Sequence, residues 1–162
     1  QIGLVQRLET SVINSPYFNI FLAAQICGSD NALFSRGTKI NDLLSILGDV
    51  HHIFPKRYLT ANGITNKSEY NQIANYTYLD TQVNKDISDD APCDYFSKAI
   101  AACQDGESAY GNINNYDELM DNLKQNCIPV EITSMTHIDY CEFLQRRREM
   151  MADKIHKYYD SI

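Results

Sequence analysis

The feature that most limits what this chain can fold into is a pair of strand-like runs set in a sequence that otherwise reads as helix. The first is DVHHIFPKRYL, Asp49 to Leu59; after a polar spacer comes NQIANYTYLDTQVN, Asn71 to Asn84. Pro55 ends the first run, because proline has no N–H to give to a sheet. In the second, Tyr76, Thr77, Tyr78 and Leu79 are residue types that suit a pleated surface. Thr81 then stands where an N-cap is expected, ahead of a short helix carrying Val83, Asn84 and Ile87. The predicted order is strand, long loop, strand, helix, with the helix crossing the hairpin and bringing Asn84 back towards His51. The fold class expected is α+β, mainly helical, organised around this unit.

The same stretch holds the side chains with chemistry. Neighbouring residues of an extended segment point to opposite faces, so His51 and His52 do not readily share one ion. One can hold a metal while the other faces a reacting group. A neutral imidazole titrates near neutral pH and can accept a proton from water. One imidazole, one amide oxygen and several waters suit a catalytic ion with open positions, not a closed structural site. Oxygen ligands favour Mg²⁺, whereas an imidazole also suits Mn²⁺, Ni²⁺ or Zn²⁺.

The run His51-His52-Ile53-Phe54-Pro55, then Asn75, then Asn84 nine residues later, resembles the HNH (His-Me finger) nucleases, whose core is a ββα-metal motif. The resemblance implies His52 as general base, His51 and Asn84 as ligands of one divalent ion (Mg²⁺ first), and Asn75 as the residue holding the loop that carries the base. HHIFPKRYL, YNQIANYTYLD and the late FLQRRREMM look more narrowly like the C-terminal nuclease half of GmrSD-type enzymes. Those are bacterial type IV restriction endonucleases that attack modified phage DNA. The resemblance implies DNA as substrate and 5′-phosphate and 3′-hydroxyl ends as products. It also implies an N-terminal ParB-like, nucleotide-dependent domain as partner. That domain is absent from this chain, which is therefore expected to be a C-terminal fragment. Two other readings stay open: a non-catalytic interaction or DNA-docking module with the same fold, and an RNA-cleaving toxin.

The 162 residues suit one domain, with the ββα core at about 48–88 and helical support at 1–47 and 91–162. No apolar run reaches the roughly 18 residues of a membrane span, and no signal peptide is visible. Five widely spaced cysteines without a CxxC argue against a zinc knuckle or a disulfide framework and for a reducing, cytoplasmic setting. The net charge of −7 is awkward for a DNA enzyme. However, residues 86–131 hold 10 acids and 2 bases, which leaves 11 acids and 12 bases elsewhere. The expectation is an acidic segment that faces away from DNA. Candidate phosphate contacts are Lys56 and Arg57 beside the histidines, Lys85 after Asn84, and Arg147 within the Arg146-Arg147-Arg148 cluster. Consecutive helical residues point about 100° apart, so at most two of the three face one strand. The alternative for the cluster is pairing with Glu142 and Glu149. Arg36 and Lys39 are weighed in the same way, as DNA contacts or as solvated surface charge.

Elsewhere, residues 1–14 show a helical apolar face that Ser15-Pro16 breaks, and Tyr17 to Cys27 reads as a buried helix. Ala32 to Leu47 is open between a helix and a lead into the first strand, with Gly48 as the break. KRYLTANG and NKSEYNQIA read as short helices. Ser88 or Asp90 is expected to cap APCDYFSKAIAAC, Asn115 to cap YDELMDNLKQNC, and Thr136 to cap a last helix of about 24 residues.

Overall fold

A computed structural model describes residues 2–46 and 49–162, so the expected break at Gly48 lies outside the described residues. The architecture is α+β and mostly helical. One antiparallel pair, β1 (Asp49–His52) and β2 (Tyr76–Leu79), is joined in register Asp49↔Leu79 to His52↔Tyr76. Between the strands run α4 (Lys56–Ala61), α5 (Lys67–Tyr70) and a 3₁₀ turn, Ile73–Asn75. After β2 comes α6 (Thr81–Ile87), which packs on β1. The rest is helical: α1 (Ile2–Arg7), α2 (Pro16–Cys27) and α3 (Ile40–Ser45) precede the strands, and α7 (Pro92–Gln104), α8 (Tyr116–Gln125) and α9 (Tyr140–Asp160) follow them. No helix among the described residues is long and apolar enough to cross a membrane.

Local chemistry explains most element ends. Ser15 both terminates the first segment and starts the next helix: its Oγ accepts from Phe18 N–H at 3.1 Å, with Pro16 at the first helical position. The helix expected through Asn14 stops at Arg7, and beyond it the Thr10 carbonyl accepts from the Ile73 N–H at 2.9 Å. α2 is not buried all round: Phe18 and Phe21 face the core while Ile26 is exposed. The cap of α6 is Asp80, whose Oδ1 accepts from Gln82 N–H at 2.9 Å, and Thr81 becomes the first helical residue. Ala91, rather than Ser88 or Asp90, precedes α7, since Ser88 ends α6 at φ 54°. Thr136 caps a 3₁₀ turn, His137–Asp139, that leads into a 21-residue α9. The single helix expected from Asn66 to Ala74 is split at Asn71.

The main apolar core runs from Leu8 to Ile155 and takes in Tyr76 and Leu79 of β2, with Val50 of β1 packed against it and a small second cluster at Ala32, Ile40 and Leu43. Aromatic rings dominate it. Phe54, just past β1, sits 4.9 Å from Phe143 and 5.2 Å from Tyr140 of α9, and Phe34 packs on Tyr95, Phe96 and Tyr110. α9 therefore backs the strand pair, and its middle carries a buried cation. Arg147 is 1 % exposed and donates to the carbonyls of Ala74 (2.8 Å), Tyr76 (2.6 Å) and Asn126 (3.1 Å). This corrects the reading of Arg147 as a phosphate contact, because a guanidinium committed to three backbone oxygens in the core does not reach a nucleic acid. Arg148 is also buried, and Arg146 pairs with Glu142 and Glu131. Arg36 pairs with Glu118, and Lys39 Nζ donates to the Ser29 carbonyl.

Candidate active site

Asn75 is the hub from which the site is built. It is fully buried, and its side chain makes a reciprocal pair with Phe54: Oδ1 accepts from Phe54 N–H at 2.8 Å, and Nδ2 donates to Phe54 O at 3.1 Å. Nδ2 also donates to Tyr70 O at 3.2 Å, and its own carbonyl accepts from Ile53 N–H at 2.8 Å. One residue thus ties the chain after β1, the end of α5 and the start of β2. Tyr95 of α7 adds a second brace, its hydroxyl donating to Ile53 O at 2.5 Å. Asn75→Ala is expected to lower stability by about 2–3 kcal/mol, since buried backbone groups lose their partners. Denaturant unfolding with an unshifted midpoint would show that the bridge contributes nothing.

The braced strand presents its two histidines on opposite faces. His51, opposite Thr77, points towards α6 and α7: its Nδ1 lies 2.7 Å from Asn84 Oδ1, and its ring meets Tyr95 edge-on at 6.2 Å. His52, opposite Tyr76, has that ring edge-on at 5.0 Å, and its Nε2 lies 2.9 Å from Asn71 Oδ1. Both histidines line one open cleft of about 360 Å³, together with Val50, Pro55, Lys56, Arg57, Asn84, Ser88 and Asp89. A larger groove, about 520 Å³ between α1 and α9, is lined by Glu9, Glu149 and Asp153 and contains no histidine. Chemistry and not size singles out the cleft.

Burial sets the protonation of both rings. His51 is 4 % exposed, and desolvation pulls its pKa from the ordinary 6.5 down to about 4; the Asn84 contact opposes the shift and His52 adds to it. Its Nε2 is buried without a hydrogen-bond partner, so charging the ring would leave a second N–H unpaired in the core. His52 is shifted down as well, mainly by burial, with Asn71 opposing and Lys56 contributing. A stability consequence follows for metal-free protein. The unfolded chain takes up the His51 proton as pH falls through about 6.5, and the folded chain does so only near 4. Stability is therefore complete above 6.5 and falls by about 3 kcal/mol between 6.5 and 4. Urea unfolding across that window should show this slope and should become shallower in His51→Gln, the remainder belonging to His52. An unchanged slope in the variant would remove His51 as its source.

The donor set is compatible with a hydrated divalent ion. Two adjacent ligands at about 2.1 Å from an octahedral ion stand about 3 Å apart, close to the 2.7 Å between His51 Nδ1 and Asn84 Oδ1. Without an ion, His51 Nδ1 carries the proton that Asn84 Oδ1 accepts; an ion would take the Nδ1 lone pair once that proton has moved to Nε2, and the cleft leaves room for water. Among the described residues, no three His, Cys, Asp or Glu side chains form a metal-binding group. An ion here would thus rest on His51, Asn84 and solvent.

The cations distribute unevenly. Lys56 and Arg57 begin α4 at the cleft, with Lys56 Nζ 5.4 Å from the centre of the Tyr70 ring. Arg57 Nη1 pairs with Asp89 at 3.1 Å, an exposed contact of little energetic weight. Asp89 brings one acid of the 86–131 segment into the cleft. Lys85 is exposed on α6 beside Asn84 and is not among the residues lining the cleft. Asn71, read from the sequence as interior to a helix, is the polar partner that sequence reasoning missed. The only local hint is an asparagine four residues before Asn75, and nothing in its spacing points to His52. Comparison of the chain with protein-family models, curated proteins and solved structures finds no match.

Proposed function

We propose that this chain hydrolyses phosphodiester bonds of DNA with the help of one divalent metal ion, through a ββα-metal arrangement formed by β1, β2 and α6. The observation that carries the reading is the convergence of His51 Nδ1 and Asn84 Oδ1 in the cleft that also holds the His52 ring. His51 and Asn84 would hold the ion, Mg²⁺ first, with Mn²⁺, Ni²⁺ or Zn²⁺ also compatible with an imidazole ligand. When bound, such an ion neutralises charge that develops on the phosphate and the leaving oxygen.

The chain's own residues do the rest. His52, kept neutral by burial, takes the proton of the attacking water as the water's oxygen bonds to phosphorus; the bond from phosphorus to the 3′-oxygen breaks, and that oxygen leaves as a 3′-hydroxyl after taking a proton from solvent. Asn75 holds the backbone after His52 at a fixed distance from β2, so the ring does not drift from the phosphate. Lys56 and Arg57 line the same cleft and supply positive charge for the nucleic-acid backbone, Arg57 on leaving Asp89. DNA rather than RNA, modified phage DNA as the target, a ParB-like nucleotide-dependent partner domain and a place in bacterial defence rest on the resemblance of residues 51–84 and 143–151 to the GmrSD-type nucleases, and a cytoplasmic setting on the cysteine pattern.

The test is incubation of the chain with supercoiled plasmid and, in parallel, with RNA, in Mg²⁺, Mn²⁺, Ni²⁺ or EDTA. The expected result is nicking of the plasmid that EDTA abolishes. Cutting of RNA alone would overturn the DNA substrate, and no cutting with any ion would overturn the hydrolase reading in favour of a docking module.

A further inference from the structure

We infer that Asn71 is a positioning residue for His52: its side-chain oxygen selects the ring tautomer that keeps the proton on Nε2 and leaves the Nδ1 lone pair free to accept a proton from water. The inference rests on the reading of His52 as the base.

The argument starts from the contact. His52 Nε2 lies 2.9 Å from Asn71 Oδ1, and an amide oxygen only accepts, so the nitrogen facing it is the N–H. A neutral imidazole carries one N–H, which leaves Nδ1 bare. Among the described residues Nδ1 makes no hydrogen bond, and His52 lines the cleft with Lys56 and Asn84. The ring plane is fixed from another direction by Tyr76, edge-on at 5.0 Å with planes at 86°. Tautomer and orientation are therefore set by different neighbours.

The oxygen is also held in place. α5 ends at Tyr70, and Asn71 follows at φ −90°, ψ 46°, its N–H still bonded to Lys67 O at 3.0 Å. Asn75 Nδ2 holds Tyr70 O at 3.2 Å on one side of this corner. On the other, the Tyr140 hydroxyl of α9 donates to Glu69 O at 2.9 Å. The buried Asn75 thus serves both halves of the contact, bracing the chain after His52 and the corner that presents Asn71. Partners that orient a metal-bound imidazole through its second nitrogen are typically worth about 10–100-fold in affinity or activity, and the same scale is expected for a base held in this way.

The experiment reads the tautomer directly. Nitrogen-15 NMR of metal-free protein in mildly alkaline buffer distinguishes a protonated ring nitrogen from a bare one, and substitution of each histidine in turn assigns the signals. The parent protein is expected to show His52 with its proton on Nε2. Asn71→Leu, of similar size, should lose that preference, and Asn71→Asp, which keeps the oxygen, should retain it. In plasmid nicking, Asn71→Leu should lower kcat about 10–100-fold with KM and the metal titration unchanged, and Asn71→Asp should recover most of it. A proton on Nδ1 in the parent protein, or an unaltered tautomer in Asn71→Leu, overturns the inference even if the chain cuts DNA. If the chain cuts nothing, the nuclease reading fails while the spectra still decide what Asn71 does to His52.

Discussion

His52→Ala is expected to lower metal-dependent cleavage by about 10²–10⁴-fold, the range that general-base catalysis supplies, while leaving metal binding nearly intact. The two parts of this expectation have separate physical origins. His52 and His51 occupy consecutive positions of β1 but opposite faces, and only His51 touches Asn84. Removing the His52 ring takes away the group proposed to accept the water's proton and leaves the Nδ1–Oδ1 pair on the other face undisturbed. Stability should change little, because His52 is only half-buried and its hydrogen bond is with Asn71 at the cleft. Plasmid nicking, titration calorimetry with Mn²⁺ and a denaturant curve test all three expectations in one variant. Cutting at the parent rate would sink the assignment of His52 as base. A lost metal isotherm would mean that the two faces are not independent.

Arg147→Met is expected to destabilise the protein by about 2–3 kcal/mol without changing how the folded molecule binds DNA. Burial lowers the Arg147 pKa to about 10, so the guanidinium remains charged at neutral pH in a core that offers it no carboxylate. What compensates is geometry. Three backbone carbonyls receive it, and one of them, Asn126 O, lies at the C-terminal end of α8, where the helix dipole is negative. Methionine fills similar space but leaves those oxygens without donors. Two of them flank Asn75, so the loss also loosens the start of β2. Arg146→Met is the internal control: its pairs with Glu142 and Glu131 are on the surface, where such contacts are worth under about 1 kcal/mol. Equal unfolding midpoints for Arg147→Met and the parent would show that the clamp contributes nothing. Weaker DNA binding by the folded variant would restore Arg147 as a contact.

The comparison of Arg147 with its neighbours shows where sequence reading stops. A run of three arginines on a helix is the same string whether it meets phosphate, carboxylate or backbone. Helical geometry says only that they point in different directions, and the packing of α9 against the strands decides that Arg146 meets glutamates while Arg147 enters the core. The split at Asn71 has a similar origin. Residues 66–74 have helical propensity, but Ile73 N–H is captured by Thr10, sixty-three positions away in the chain, and propensity does not register such a partner. The acidic count for 86–131 located a charge imbalance but not Asp89, whose place opposite Arg57 depends on how α6 ends.

What the sequence by itself determined is local. Strand-favouring residues at 76–79, a proline that stops the first run and side-chain caps such as Ser15 and Asn115 act within a few positions, so the α+β class and the order strand, loop, strand, helix were legible. The proximity of His51 to Asn84 was legible only as a consequence of that order. What tertiary structure alone decided are contacts between distant segments: Asn71 on His52, Tyr95 on Ile53, Arg147 on three carbonyls, Asp89 in the cleft. The physical reason is that propensity, capping and strand alternation reflect the energetics of near neighbours. A buried polar group is satisfied by whichever donor or acceptor the packing of the core brings within about 3 Å.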